Sequence, residues 1–141
     1  MNGDTRRRVL VVEDEPIITR VCVKTLIADG FEVDVAVNGI VARDMVGRRA
    51  YDLCFSDIRT PQMNGMELYE YLEQEHPALA ERVVFTTGDV LSPGIDAFLK
   101  RTDRPFLPKP FTPDELRRVV RAALEQPAGS GEVRAGDSPG R

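Results

Sequence analysis

Short apolar runs alternate with amphipathic segments along most of the chain. Each run is rich in β-branched or aromatic residues, which is typical of strands, and each is followed by apolar residues at helical spacing. Repeated strand–helix units require a parallel sheet covered by helices on both faces, so the pattern predicts an α/β fold with five strands and five helices. The predicted strands lie near residues 9–12, 31–35, 51–56, 83–86 and 106–107.

Prolines and capping residues mark the predicted helices. Pro16 lies in the first turn of the first helix, and Asn38 is a suitable N-cap for the second. The third helix, Met66 to Gln74, is expected to end before the proline that follows it. Ser92 is the predicted cap of the fourth helix. Thr112 opens the fifth helix in a capping box with the glutamate three residues later.

The composition excludes several classes of partner. The 141 residues fit one domain, and 19 basic against 23 acidic residues give a net charge of −4. This balance offers no basic footprint for nucleic acid or for an anionic membrane. Charged residues interrupt every apolar segment before about 18 residues, so we expect no membrane span and a cytoplasmic location. Cys22 and Cys54 lack CxxC spacing and are predicted to be small core residues.

The two ends of the chain differ from its middle. Residues 1–7 form a polar, flexible leader in this interpretation, and residues 8–125 form the folded domain. Residues 126–141 are mainly Pro, Gly, Ala, Ser and charged residues, which predicts a disordered tail or a linker stub. We therefore expect either a stand-alone domain or a portion of a larger protein.

Chemically active residues follow four of the five predicted strands. Glu13 and Asp14 follow the first strand, Asp57 the third, Thr87 the fourth and Lys109 the fifth. Ligands of open parallel sheets bind beyond the carboxyl ends of the strands, so these side chains are expected to converge. Three acids in one place need a compensating cation, and oxygen ligands suit Mg²⁺ (or Mn²⁺).

The same residues form a predicted phosphate site. Lys109 supplies a positive charge, Thr87 a hydroxyl donor, and Gly88 leaves room for a phosphoryl group to approach the backbone. A carboxylate in this pocket can attack phosphorus and form an aspartyl phosphate. Each residue alone has an ordinary explanation as a turn, cap or surface residue, so the set carries the prediction. His76, the only histidine, is predicted to be an exposed helix-terminal residue.

The motifs are similar to those of a known family. Over residues 8–124 the chain resembles the receiver (response regulator) domains of bacterial two-component signalling. Its sequence motifs look most like those of receivers attached to hybrid histidine kinases. The segments that carry the resemblance are Glu13-Asp14-Glu15, Asp57 with Pro61 to Gly65, Phe85 to Gly88, and Phe106 to Phe111.

The resemblance implies a fold and a set of metal ligands. The fold would be a flavodoxin-like, doubly wound sheet of five parallel strands in the order 2-1-3-4-5, covered by five helices. Asp57 would be the phosphoacceptor, and Glu13 and Asp14 would bind Mg²⁺ together with it. The backbone carbonyl of Arg59 would complete the metal shell.

The resemblance also assigns roles to residues of the later strands. Thr87 and Lys109 would be phosphoryl ligands, and Phe106 would be the aromatic partner of a conformational switch. The bond between Lys109 and Pro110 would be cis, as in few X–Pro bonds. Thr60 stands where the family more often carries Met or another apolar residue, so this loop would pack differently from the family's pattern.

The resemblance implies partners rather than a substrate. A sensor histidine kinase or a histidine phosphotransfer protein would donate the phosphoryl group, because the chain offers an acceptor pocket and no donor histidine. The domain would then not be an enzyme in the usual sense, although it would promote its own phosphorylation and dephosphorylation. A homodimer through the predicted fourth helix, fifth strand and fifth helix is a further expectation. This charged face is equally compatible with ordinary solvent exposure.

Two charged residues are candidates for setting the phosphoryl lifetime. Arg59 and Asp89 each lie two residues beyond a pocket residue, so they are placed to pair over the pocket mouth and to hinder the hydrolytic water. The alternative is two exposed loop charges that contribute almost nothing.

Two other classes remain alternatives from the residues. A phosphatase of the haloacid dehalogenase type also uses an aspartyl phosphate and Mg²⁺, but that family needs a second Asp where this chain has Arg59. A flavodoxin-like cofactor carrier would need a phosphate loop after the first strand. The acidic run Glu13-Asp14-Glu15 would repel a phosphate there without a metal.

Overall fold

A five-stranded parallel sheet forms the centre of the computed structural model of the protein, which describes residues 6–89 and 92–125. The strand order is β2-β1-β3-β4-β5, as expected for a doubly wound fold. The strands are β1 (Arg8–Val12), β2 (Glu32–Ala36), β3 (Leu53–Asp57), β4 (Val83–Thr87) and β5 (Phe106–Pro108). The helices are α1 (Pro16–Ala28), α2 (Gly39–Arg48), α3 (Gly65–Glu75), α4 (Pro77–Ala80), α5 (Pro93–Thr102) and α6 (Pro113–Glu125).

The core consists of two apolar layers, one on each face of the sheet. Successive strand residues point to opposite faces, so Leu10 and Cys54 pack against α2 to α5, whereas Val9 and Leu53 pack against α1 and α6. The central strand β3 is buried along its whole length. Cys22 and Cys54 are free and fully buried on opposite faces, which confirms their interpretation as core residues.

The predicted number of helices was wrong by one. We expected five, and the described residues contain six, because the short helix α4 follows α3 directly. His76 ends α3 with φ −143° and ψ 63°, and Pro77 then starts a new turn at a position where proline is favoured. The turn buries Leu79 and Ala80 against the sheet. Pro77 therefore marks the end of α3, as predicted, and it also starts a further turn that the sequence pattern does not predict.

The capping predictions have mixed outcomes. Asn38 accepts a hydrogen bond from the amide of Val41 at 2.9 Å, and Thr112 forms the predicted capping box with Glu115. Ser92 does occupy the N-cap position of α5, but its side chain makes no capping hydrogen bond.

The loop between β3 and α3 is held by close backbone contacts. The amide of Gly65 donates to the carbonyl of Ile58 at 2.9 Å. A Cβ at residue 65 would lie 2.7 Å from the carbonyl oxygen of Asp57, so only glycine fits beneath the end of β3. Thr60 is buried, and its hydroxyl donates to the carbonyl of Met63 at 2.9 Å. The departure from an apolar residue at position 60 is thus accommodated by a hydrogen bond within the loop.

Both edge strands carry features that oppose further pairing. On β2, Glu32 accepts from Arg8 at 2.8 Å, and Asp34 accepts from Arg49 at 3.1 Å and from Tyr51 at 2.7 Å. Charged side chains on an edge strand disfavour the addition of another strand. The opposite edge, β5, has three residues, ends in a proline and follows another proline.

Some expectations about the ends of the chain lie outside the described residues. This is the case for the tail at 126–141 and for residues 1–5 of the leader. Within the described ranges, every helix is too short or too polar to cross a bilayer.

Candidate functional site

The site lies where β1 and β3 end side by side at the centre of the sheet. Val12 and Ser56 are paired in register, so the residues that follow them emerge together. Glu13 and Asp14 follow β1, and Asp57 is the last residue of β3. Glu13 and Asp57 are buried, whereas Asp14 is exposed. The position is the switch point of a doubly wound sheet, where ligands of such folds bind.

Lys109 reaches this acid cluster from the end of β5. The cis bond between Lys109 and Pro110 agrees with the prediction, and the amide of Lys109 donates to the carbonyl of Thr87 at 3.0 Å. Its Nζ lies 2.9 Å from Oδ2 of Asp57 and 3.1 Å from Oε1 of Glu13. The predicted acid pair, Glu13 and Asp14, therefore lies in one pocket with Asp57 and Lys109.

Charge in the pocket is only partly balanced. Burial removes water from the Glu13 carboxyl and the charge of Asp57 repels it, so the pKa of Glu13 rises to about 7. Burial lowers the pKa of Lys109, but its hydrogen bonds to Glu15, Asp57 and Glu13 outweigh this and raise the pKa overall. Lys109 therefore stays protonated, and the acid cluster still favours a further cation.

The acid cluster fits a hard divalent cation. One carboxylate oxygen from each of Glu13, Asp14 and Asp57 lies within 4.8 Å of the others. Oε1 of Glu13 is buried and accepts no hydrogen bond, although Nζ of Lys109 is 3.1 Å away, so a lone pair is available to a ligand. Carboxylate oxygens suit Mg²⁺, and the exposed side of the cluster at Asp14 leaves room for the waters that this ion usually keeps. The amide of Arg59 donates to Oδ1 of Asp57 at 3.1 Å, and the role of its carbonyl as a metal ligand stays a prediction.

The other predicted phosphoryl-binding residues lie on and beside β4. Thr87 is buried at the end of β4, and its hydroxyl accepts from the amide of Asp89 at 3.2 Å. Gly88 is exposed, and a Cβ there would be 3.9 Å from Cβ of Lys109, so its lack of a side chain leaves space beside the lysine. Phe106 is half-buried on β5, pairs in register with Phe85 and packs at the margin of the core rather than beside the acids.

Arg59 and Asp89 form an ion pair between their side chains. The two residues belong to the loops after β3 and β4, so the pair joins two loops that border the pocket. Both side chains are partly exposed, at 57% for Arg59 and 43% for Asp89. The pairing was predicted, whereas its effect on phosphoryl lifetime is untested.

Two side chains near the site, those of Glu15 and Asn64, were not predicted from the sequence. Glu15 places Oε1 2.7 Å from Nζ of Lys109, although the sequence suggested only a repulsive role for this acid. Asn64 forms a complete capping box with Glu67 at the start of α3. The spacing of Asn64 and Glu67 is the usual capping signature, so it was available from the sequence. His76 is half-buried beside Tyr71, with 3.4 Å between Nε2 and the hydroxyl, and not exposed as expected.

Charged residues of the predicted dimer face form ion pairs within the domain, and the dimer itself stays a prediction. Lys100 pairs with Asp96 at 3.2 Å on α5, and Arg117 pairs with its neighbour Asp114 on α6. Arg121, also on α6, donates to Asp29 at the end of α1 at 2.9 Å. The arginine also lies over the ring of Phe31, 5.7 Å from its centre. The charges of α5 and α6 are thus largely used within the domain.

The fold and the site together define a class of flavodoxin-like α/β domain with an acidic, lysine-bearing pocket at the switch point. Comparison with known families makes the assignment specific, because the model of the family described as "Response regulator receiver domain" matches residues 9–121. The chain belongs to this family. Neither the phosphatase nor the cofactor-carrier alternative shares this assignment.

Curated relatives are response regulators and transcriptional regulators. The response regulator protein PilR of Pseudomonas aeruginosa is 34% identical over 120 residues, which cover 85% of this chain and 26% of PilR. The response regulator Rre1 of Synechocystis sp. is 33% identical over 135 residues, which cover 89% of this chain and 54% of Rre1. The chain therefore spans about a quarter to a half of the length of these relatives.

Solved structures share the fold. A CheY-like receiver domain protein from Methanospirillum hungatei superposes with a TM-score of 0.78 at 24% identity and covers 85% of this chain and 94% of that one. The receiver domain of the sensor histidine kinase PA1611 from Pseudomonas aeruginosa has a TM-score of 0.76 at 24% identity. The alignment covers 86% of this chain and all of that domain, which was solved with a magnesium ion coordinated in its active-site cleft.

Proposed function

We propose that this domain accepts a phosphoryl group on Asp57 from a phosphohistidine of a sensor kinase or a phosphotransfer protein. One carboxylate oxygen of Asp57 bonds to phosphorus as the bond from phosphorus to the donor's imidazole nitrogen breaks, and the imidazole keeps the electron pair. The observation that supports this most is the position of Asp57. Its Oδ2 is 2.9 Å from Nζ of Lys109, and its carboxylate shares one cluster with Glu13 and Asp14.

The surrounding residues have separate roles in this proposal. Lys109 neutralises charge on the phosphoryl group, Thr87 donates its hydroxyl to a phosphoryl oxygen, and Gly88 keeps the approach open. Glu13, Asp14, Asp57 and the Arg59 carbonyl would hold Mg²⁺. When bound, the ion withdraws negative charge from the phosphoryl oxygens. Hydrolysis by water later returns the free carboxylate and releases inorganic phosphate, so the domain acts as a reversible acceptor rather than as an enzyme with a separate substrate.

Labelling of the purified protein tests the proposal. Wild-type protein with Mg²⁺ and acetyl phosphate is expected to gain one acid-stable, hydroxylamine-sensitive phosphoryl group, seen by intact-mass spectrometry. Asp57→Asn should gain none, because the amide oxygen is a poor nucleophile. Asp44→Asn, at an exposed position of α2, is the matched control and should be labelled like the wild type. Label retained by the Asp57→Asn protein would overturn the assignment.

The phosphoryl group would act by moving Thr87 and Phe106. Phosphorylation adds a near-divalent anion that draws the Thr87 hydroxyl inward, and the half-buried ring of Phe106 would then turn into the vacated space. This change would bias the surface formed by α5, β5 and α6, through which a homodimer or another protein would bind.

The pathway is a further part of the proposal. Several curated relatives are named as transcriptional regulatory proteins and are longer than this chain, which supports a role in a response regulator that controls transcription. Attachment to a hybrid histidine kinase is the alternative, and it is supported by the fold shared with the receiver domain of PA1611. We expect a cytoplasmic location for either kind of protein, because the kinase that donates the phosphoryl group uses ATP to phosphorylate its histidine. The sequence that flanks this domain in its genome would distinguish the two.

A further inference from the structure

Glu15 occupies the N-cap position of α1 but does not cap the helix. Its backbone is extended, with φ −87° and ψ 115°, and its side chain makes no hydrogen bond to the amides of the first turn. Short side chains such as Ser, Thr, Asp and Asn usually cap such amides, and the longer Glu is not among the preferred caps. Pro16 takes the first helical position and has no amide hydrogen to offer. The carboxylate of Glu15 is therefore free to turn away from its own helix.

The carboxylate of Glu15 instead binds the lysine of the pocket. Its Oε1 lies 2.7 Å from Nζ of Lys109, closer than Oδ2 of Asp57 at 2.9 Å or Oε1 of Glu13 at 3.1 Å. Lys109 is 13% exposed, whereas Glu15 is 60% exposed. The ammonium is thus shared between two buried carboxylates inside the pocket and one carboxylate at its rim.

We propose that Glu15 is a positioning residue that holds Lys109 at the rim of the pocket and competes with an incoming phosphoryl group for its ammonium. The inference rests on the proposed phosphorylation of Asp57. An anion that binds beside Asp57 must draw Lys109 away from Glu15 and also approach the negative charge of Glu15 itself. Glu15 therefore opposes binding of the anion.

The same negative charge has the opposite effect on a cation. Mg²⁺ in the acid cluster is attracted by Glu15, because the carboxylate is tied to Lys109 and reduces the effective charge of the ammonium beside the metal. Removal of the charge should thus weaken Mg²⁺ and strengthen an anionic phosphate mimic. Exposed ion pairs have small effects, so each change is expected to be about twofold to fivefold.

Paired titrations of the full chain test this inference. Glu15→Gln removes the charge with little change of shape, and Glu75→Gln is the matched control. Glu75 is an exposed residue at the far end of α3, so this variant changes the net charge equally without touching the pocket. Isothermal titration would measure the dissociation constant of Mg²⁺ alone, and ¹⁹F NMR that of beryllofluoride at saturating Mg²⁺. Thermal unfolding would establish that both variants are folded.

Opposite signs of the two effects identify a positioning role. Glu15→Gln should bind Mg²⁺ about twofold more weakly and beryllofluoride about twofold to fivefold more tightly than the wild type, while Glu75→Gln matches the wild type. Both differences should shrink in 1 M salt, where the screening length falls to about 3 Å. Equal affinities for Glu15→Gln and wild type, or two changes of the same sign, would overturn the inference. A wild type that binds no beryllofluoride would instead count against the proposed function.

Discussion

At the scale of single residues, Glu13 carries the largest electrostatic cost in the pocket. It is fully buried, and Oε2 accepts a hydrogen bond from the amide of Glu15 at 3.1 Å. One ammonium, that of Lys109, is shared with Asp57 as well as with Glu13. The metal-free domain therefore folds with a carboxylate that prefers to be protonated, which is a cost that bound Mg²⁺ would remove.

The metal-free domain should lose stability as the pH rises. Because the folded-state pKa of Glu13 is about 7 and its ordinary value is 4.5, its contribution is complete below about pH 4.5 and lost as the pH rises through 7. The loss is on the order of 3 kcal/mol. Urea unfolding in EDTA at pH 5 and pH 8 would measure it. Glu13→Gln should flatten this dependence, whereas an unchanged slope in that variant would contradict the assignment.

The ion pair of Arg59 and Asp89 leads to a prediction about the rate at which the phosphoryl group is lost. If it hinders water at the pocket mouth, Arg59→Ala and Asp89→Ala should each speed loss of the phosphoryl group by about twofold to fivefold, because the pair is exposed and weakly stabilised. The decay of phosphorylated protein after removal of acetyl phosphate measures this rate. Arg48→Ala, which removes an ion pair with Asp44 on α2, is the matched control. Wild-type decay in both pocket variants would exclude the role.

At the scale of elements, the sequence predicted most of what positions the site. Hydrophobic runs located all five strands, and the polar residues after them located the acids and the lysine, because strand ends share one edge of a parallel sheet. The sequence could not predict which oxygen Lys109 approaches, since that depends on how β5 meets β4 and on the backbone of Glu15. The helix α4 was missed because one turn of helix has no periodicity to detect.

The helix caps provide a test at this scale. Asn64 bonds to the amide of Glu67 at 2.9 Å, so Asn64→Ala should lower the free energy of unfolding by about 1 kcal/mol. Ser92 has the same N-cap position on α5 without a capping bond, so Ser92→Ala should change stability by only a few tenths of a kcal/mol. Urea denaturation of both variants measures the difference. Equal losses would show that the cap geometry does not govern these helix starts.

At the scale of the whole molecule, the proposed switch connects the pocket to one outer surface. Beryllofluoride with Mg²⁺ should alter the backbone amide shifts of α5, β5 and α6 more than those of α2, and it should increase self-association in sedimentation. Phe106→Ala should keep labelling at Asp57 and reduce the response of the surface, because the ring links the pocket to it. Identical sedimentation and unchanged amide shifts at this surface after addition of beryllofluoride would exclude the switch.

The surface of α1 next to the pocket is a candidate contact for the donor protein. Ile17, in the first turn of α1 beside the pocket, is 73% exposed, and Ile27, near the other end of α1, is 55% exposed. The two lie about 15 Å apart along the helix. Ile17→Ser should slow transfer from a phosphohistidine protein by about tenfold and leave labelling by acetyl phosphate unchanged. Ile27→Ser is the control, and equal effects of both would contradict a donor contact at the pocket end.

The edge strands β2 and β5 limit the ways in which this domain can bind other molecules. The charges on β2 and the prolines at β5 disfavour hydrogen bonding of a further strand to either edge. Addition of an extended peptide, and edge-to-edge aggregation of copies of the domain, are therefore disfavoured. Recognition by other proteins is then expected to use helix surfaces and loops, which include the surface of the proposed switch. Any homodimer is therefore expected to form through helix surfaces rather than by pairing of sheet edges.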